Sequence, residues 1–107
     1  MRKKLKREGK FYVYIVECAD GGYYTGYTND LDRRLKRHND GLASKYTRAR
    51  LPVRLAWSKE YCQFKSAFKL ERIIKDLTRK QKETLVKGRR LDKVLEQAKV
   101  YESSKKK

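Results

Sequence analysis

Acidic residues are scarce in this chain of 107 residues: 13 Asp and Glu stand against 30 Lys and Arg, a formal net charge of +17. Such an excess repels itself unless a polyanion is near, so nucleic acid is the expected partner, bound through its phosphates with release of counterions. Anionic membrane is the weaker competitor. Long apolar runs are also missing. No stretch approaches the roughly 20 residues of a spanning helix, and no signal-like apolar segment follows the basic start. The expectation is a soluble cytoplasmic protein. Cysteines number only two, Cys18 and Cys62, with no Cys-x-x-Cys. Both fall on predicted strands and read as small buried hydrophobes, not as a disulfide or a metal site. Apolar residues make up 38% and charged residues 40%, against roughly 25% charged in an average domain. One compact domain with a lean core follows, and no repeat or long linker suggests a second.

Residues 1–10 are a basic arm. Residues 11–18 and 23–28 are aromatic and β-branched, with Asp20-Gly21-Gly22 between them, and predict a hairpin. A two-residue turn would leave Tyr14 and Tyr24 on opposite faces. A three-residue loop with a left-handed glycine is predicted instead, pairing Cys18 with Tyr24 and putting Tyr14, Val16, Tyr24 and Gly26 on one face. A helix follows, with Asn29 as N-cap, Asp30 and Asp32 in its first turn, basic residues in its last turns and Gly41 beyond. Leu31, Arg34, Leu35 and His38 share its inward face. A buried arginine is costly without an anion or a hydrogen-bond acceptor, so Arg34 is a candidate site residue.

Residues 42–52 read as a polar basic loop in which Lys45, Tyr46, Arg48 and Arg50 suit phosphate contact and base stacking. With Tyr27 and Arg37 they are the expected nucleic-acid contacts. A third strand is predicted over 53–61, with Val53, Leu55 and Trp57 alternating inward. A helix over 63–77 takes Phe64, Ala67, Phe68, Ile74 and Leu77 as its apolar positions. Glu71 falls on or beside that face, where a carboxylate needs a cation, a donor or a proton. An ion pair with Arg72, Lys75 or a strand, a metal site, or a pairing with Arg34 would each serve. Thr78 and Gln81 have capping-box form and start a short helix to about 86. A final helix over 88–101 is expected to dock on the domain, with a partner-binding or dimer role as the alternative, and 102–107 is a disordered basic tail.

Cutting a phosphodiester needs a deprotonated nucleophile, a cation where charge builds, and help for the leaving oxygen. Arg34 offers a two-pronged phosphate contact, Tyr14 and Tyr24 phenols, His38 a base or donor near neutral pH, and Glu71 a hard oxygen ligand. Composition and phase alone reach a basic nucleic-acid binder with room for catalysis. Val13-Tyr14-Ile15, then Tyr24-Thr25-Gly26 and Arg34 at intervals of ten, resemble the core of the GIY-YIG nucleases, in particular their small stand-alone (URI-type, single-domain bacterial) members. The resemblance implies an α+β fold with a small three-stranded antiparallel sheet flanked by helices, over about 11–87. It implies a DNA endonuclease using one divalent ion, Mg²⁺ or Mn²⁺, and no small-molecule cofactor. By it Tyr14 and Tyr24 match the motif tyrosines, Tyr14 being favoured as the base, Arg34 the phosphate-binding arginine, His38 a helical histidine of some members, and Glu71 the metal ligand. Two departures stand out: Tyr27 replaces a common lysine, and no asparagine follows Glu71. A non-catalytic nucleic-acid-binding module on the same fold is the alternative.

Overall fold

A computed structural model describes residues 8–96. The expected arm up to residue 7, the end of the final helix and the basic tail lie outside the described residues. The chain divides between Lys75 and Asp76 into two compact units.

In the first unit, strands β1 (Glu8–Glu17), β2 (Tyr23–Thr28) and β3 (Arg54–Gln63) form an antiparallel sheet in the order β2-β1-β3. Helices α1 (Leu31–Asn39), α2 (Lys45–Arg48) and α3 (Phe64–Lys75) flank it, with α3 packed on all three strands. The expected fold class is therefore the one observed. β1 starts at Glu8, ahead of the predicted residue 11, because Glu8 pairs with Gln63.

The hairpin has the predicted shared face but a different register. Val16 lies opposite Tyr24 and Tyr14 opposite Gly26, while Cys18 faces Gly22 and not Tyr24. The loop is Ala19-Asp20-Gly21, with Gly21 at φ +86°, a left-handed position that glycine occupies without strain. Asp20 Oδ1 accepts from Gly22 N at 3.0 Å and fixes that turn. Because side chains alternate, Tyr14, Val16, Tyr24 and Gly26 face one way and Val13, Ile15, Thr25 and Tyr27 the other. Thr25 is buried, and its Oγ1 has no hydrogen-bond partner.

Tyr14, Val16, Cys18 and Val53 form a buried cluster, with Tyr24, Leu31, Leu35 and Leu51 packed against it. The alternation predicted for β3 breaks at Ala56, an extra residue between the Ile15–Trp57 and Val16–Leu55 pairs, and Leu55 is exposed. Cys62 is likewise exposed and not in the core, since it lies on an edge strand at the end of the sheet remote from the Tyr14–Val53 cluster. Asp30, not Asn29, caps α1: its backbone is extended and its Oδ1 accepts from Arg33 N at 3.1 Å. Thr28 Oγ1 accepts from Asp30 N at 3.2 Å, which places Asn29 within the turn and Asp30 at the cap.

In the second unit, α4 (Arg79–Val86) begins with the predicted capping box, Thr78 and Gln81 each bonding the other's backbone N–H. Gly88 follows at φ +108°, and residues 91–96 are helical.

Candidate active site

The sheet face bearing Tyr14 meets α1 through a line of polar side chains that the apolar surroundings force into contact. Tyr14 is 1% exposed and His38 not at all, so each buried polar atom must find a partner. Tyr14 Oη lies 2.8 Å from His38 Nε2, Arg34 Nε donates to Tyr14 Oη at 3.2 Å, and His38 Nδ1 lies 2.9 Å from Thr47 Oγ1. Thr47 Oγ1 in turn lies 2.8 Å from Ser44 Oγ. Arginine only donates, so Tyr14 accepts from Arg34 and has its own proton to give. Where that proton goes to His38 Nε2, the imidazole proton sits on Nδ1 and is donated to Thr47. Burial, with the Arg34 cation adding to it, pushes the His38 pKa down to about 4 and keeps the ring neutral. Burial also raises the pKa of Tyr14, partly opposed by the Arg34 hydrogen bond and charge.

The glycine of the second motif now has a steric reason. A Cβ on Gly26 would stand 2.6 Å from Tyr14 Oη and 2.7 Å from its ring carbon Cζ, so only glycine lets the phenol lie across β2. Tyr24 is half-buried and meets the His38 ring edge-on, with centroids 5.3 Å apart. Tyr14, Arg34 and His38 are thus brought into direct contact, and Tyr24 joins them through its ring.

Glu71 is set apart from that chain. It is 5% exposed on α3, and Lys75 Nζ lies 3.1 Å from its Oε1, which is one of the ion pairs expected for it. Its charge is among the minor influences raising the Tyr14 pKa. No group of three or more His, Cys, Asp and Glu gathers to hold a metal among the described residues. A single hard carboxylate nevertheless fits Mg²⁺ or Mn²⁺, which keeps most of its waters and completes its shell with substrate phosphate.

The expected nucleic-acid contacts divide. Arg37 joins Arg33, Arg34, Thr28, Asn29 and Asp30 around a surface pocket of about 200 Å³. Lys45 and Arg48 are exposed on α2. Tyr46 is partly engaged: the Arg50 guanidinium lies 4.0 Å from its ring centre, and Tyr24 stacks on it at 6.2 Å. Arg50 also pairs with Asp20 at 3.0 Å. Tyr27 packs against Phe64 and Phe68 instead of standing free. Sequence reasoning missed Thr47, because residues 42–52 read as loop. The helix signal available there was Ser44, which caps α2 by accepting from Thr47 N.

A small three-stranded sheet carrying Tyr14, Tyr24 and Gly26 beside a helical Arg34 is the arrangement the GIY-YIG resemblance implies, and comparison bears the family out. The family described as the GIY-YIG catalytic domain matches residues 10–84, and the chain belongs to it. Its relatives are small proteins of one such domain. A UPF0213 protein of Bacillus licheniformis is 45% identical over 83 residues, covering 78% of this chain and 86% of the relative. One from Streptococcus agalactiae is 49% identical over 76 residues, with 71% and 86% covered. Among solved structures, the solution NMR structure of a UPF0213 protein from Bacillus halodurans is 46% identical, covers 76% of this chain and 86% of its own, and superposes with a TM-score of 0.50. A protein from E. faecalis, also solved by NMR, is 39% identical, with 78% and 88% covered and a TM-score of 0.52.

Proposed function

We propose that the protein is a divalent-metal-dependent endonuclease hydrolysing phosphodiester bonds in DNA, with single-stranded or branched forms as the substrates a small domain reaches unaided, and that it acts in the cytoplasm. The observation that carries this reading is the buried chain Arg34–Tyr14–His38–Thr47, because it couples an anion-binding cation to a proton acceptor.

Arg34 spends its Nε–H on Tyr14, which fixes the guanidinium plane and leaves its other donors for two phosphate oxygens. Held this way, it meets negative charge as it builds on the phosphate without reorganising. Arg33 and Arg37, on the same pocket, add affinity for the strand. A phenolate is not the resting form of Tyr14, since burial raises its pKa. It works as a relay once substrate binding uncovers Tyr14 Oη, which is almost wholly buried at rest: the attacking water then gives a proton to Tyr14 Oη while the Tyr14 proton moves to His38 Nε2, 2.8 Å away. The imidazolium so formed donates on both sides, to Tyr14 and to Thr47. Its low pKa then makes it give the proton up readily for the next turnover. Tyr24 braces the ring and presents its own phenol beside it. Glu71 would hold one Mg²⁺ or Mn²⁺, which supplies Lewis-acid stabilisation of the phosphate charge. Lys75, its present counter-ion, must yield that oxygen.

The test is cleavage of labelled single-stranded, duplex and branched DNA with Mg²⁺, Mn²⁺ or EDTA, comparing the protein with Glu71→Gln purified identically. Metal-dependent product from the parent alone supports the reading, and equal product from both overturns it. One observation favours a non-catalytic nucleic-acid-binding module: the Glu71 carboxylate is already balanced by Lys75. Tight, salt-sensitive binding with no product under any metal is the outcome that selects it.

A further inference from the structure

Two phenylalanines of α3 do not join the core that their helical phase predicts. Ala67, Leu70 and Ile74 are buried, whereas Phe64 is 38% and Phe68 40% exposed. They are not disordered in orientation relative to one another: their rings stack, at 25° and 5.8 Å between centroids. Tyr27 braces both edge-on, at 5.6 Å and 6.1 Å, and Phe11 meets Phe64 edge-on at 5.8 Å. Four aromatic rings thus make one surface cluster whose two outermost members face solvent. Leaving such rings in water is unfavourable, and an exposed apolar cluster on a small domain marks a place where something binds.

The charges around it say what. α3 carries Lys65, Lys69, Arg72 and Lys75 against the single carboxylate of Glu71. Arg72 holds its guanidinium 6.0 Å from the centre of the Phe68 ring. A surface seeking an apolar partner segment gains nothing from a cation over its aromatic face or from a helix this basic. Flat aromatic faces beside cations suit unpaired nucleobases, which stack on the rings while their phosphates meet the lysines. In a duplex the base faces are already covered by their neighbours, so a platform of this kind discriminates by strandedness rather than by sequence.

Position on the helix ties the cluster to Glu71. At 3.6 residues per turn, Phe64, Phe68 and Glu71 fall within about 60° of one another on α3. Phe68 lies one turn before the carboxylate. We propose that Phe64 and Phe68, braced by Tyr27, form a nucleobase-stacking subsite for an unpaired nucleotide, one helical turn from Glu71 on the side of the sheet opposite Tyr14. This rests on the nuclease reading, and it assigns strand selection to residues outside the motif positions Tyr14, Tyr24 and Arg34.

Binding of fluorescent oligonucleotides, measured without metal so that no cleavage intrudes, tests it. The probes are an oligothymidylate and an abasic strand of the same length, which keeps the phosphates and removes the bases. The parent should bind the oligothymidylate about tenfold or more tighter than the abasic strand, as expected for even one stacked base. Phe68→Leu, which keeps apolar bulk, and Phe64→Leu/Phe68→Leu should lose that preference while keeping the salt dependence and the melting temperature. Phe68→Trp should retain or increase it. Equal binding of the two probes by the parent, or an unchanged preference in Phe64→Leu/Phe68→Leu, overturns the proposal. So does a parent that sediments as a dimer and becomes monomeric in the double variant, because the rings would then serve a second copy. A stacking preference without any metal-dependent cleavage supports the subsite and defeats the nuclease reading, so the two failures are distinguishable.

Discussion

Tyr14 Oη and His38 Nε2 lie 2.8 Å apart with both residues sealed from solvent, one on β1 and the other a full sheet-to-helix step away on α1. Each satisfies a polar atom that the other's burial would leave orphaned, so neither can be changed without cost to its neighbour. In the proposed relay, the arrangement would link stability to cleavage through one proton.

His38 should make the protein acid-sensitive well before its carboxylates titrate. In the folded state its pKa is pushed down to about 4, from an ordinary value of 6.5. Between those values the unfolded chain binds a proton that the folded protein refuses, so stability falls as pH drops from about 6.5 to about 4 and is fully present above that window. The loss is on the order of 3 kcal/mol at most. Urea unfolding at pH 7.5, 5.5 and 4.5 measures it, and His38→Gln should flatten the slope over that interval. The relay predicts a matching acid limb in cleavage, with activity lost near pH 4 rather than near 6.5; a limb centred at 6.5 would rule out a buried neutral His38 as proton acceptor.

Gly26→Ala should damage the site through sterics alone. The added methyl would overlap Tyr14 Oη and Cζ, at 2.6 Å and 2.7 Å, and the ring is pinned by its hydrogen bonds to His38 and Arg34. The expected cost is about 1–3 kcal/mol of stability, with loss of cleavage exceeding what that destabilisation explains. Thermal melts beside single-turnover rates separate the two effects.

The backbone plan was legible because its signals are local: strand composition, the Asp20-Gly21 turn, the inward phase of Leu31, Arg34, Leu35 and His38, and the Thr78–Gln81 capping box all act over a few residues. What escaped depends on partners distant in sequence. The bulge at Ala56 exists only against β1, and the exposure of Cys62 follows from an edge position that no local pattern encodes. Thr47 became a site residue because α2 brings its hydroxyl under His38, nine positions earlier in the chain. Tyr14, Arg34 and His38 were each readable as candidates, yet their hydrogen-bonded contact required coordinates.

Thr25→Val should stabilise the protein. The substitution keeps the β-branched shape on a buried strand position while removing an Oγ1 that has no partner. Relief of one unsatisfied hydroxyl is worth about 1 kcal/mol or more, seen as a higher urea midpoint with unchanged slope. A lower midpoint would mean that the hydroxyl is solvated in solution.

Lys75 and a divalent cation should compete for the same carboxylate. Lys75 Nζ sits 3.1 Å from Glu71 Oε1, and Glu71 is 5% exposed while the Lys75 side chain is half in solvent. A buried carboxylate needs a compensating charge, so the lysine supplies it in the metal-free protein and costs any incoming ion the pair it breaks. Removing the lysine therefore favours the ion. Lys75→Met should bind Mn²⁺ more tightly than the parent by roughly tenfold, as the loss of one charge-assisted contact of 1.5–3 kcal/mol allows, while its metal-free form melts lower and recovers when Mn²⁺ is added. Glu71→Gln should bind no Mn²⁺ at either Lys75 state and should lose cleavage with its fold intact. Mn²⁺ titration followed by electron paramagnetic resonance reads affinity directly, without reference to turnover. Weaker Mn²⁺ binding in Lys75→Met would reverse the sign and make Lys75 a support that orients the carboxylate, in which case the ion and the ammonium act together on Glu71 and not in opposition.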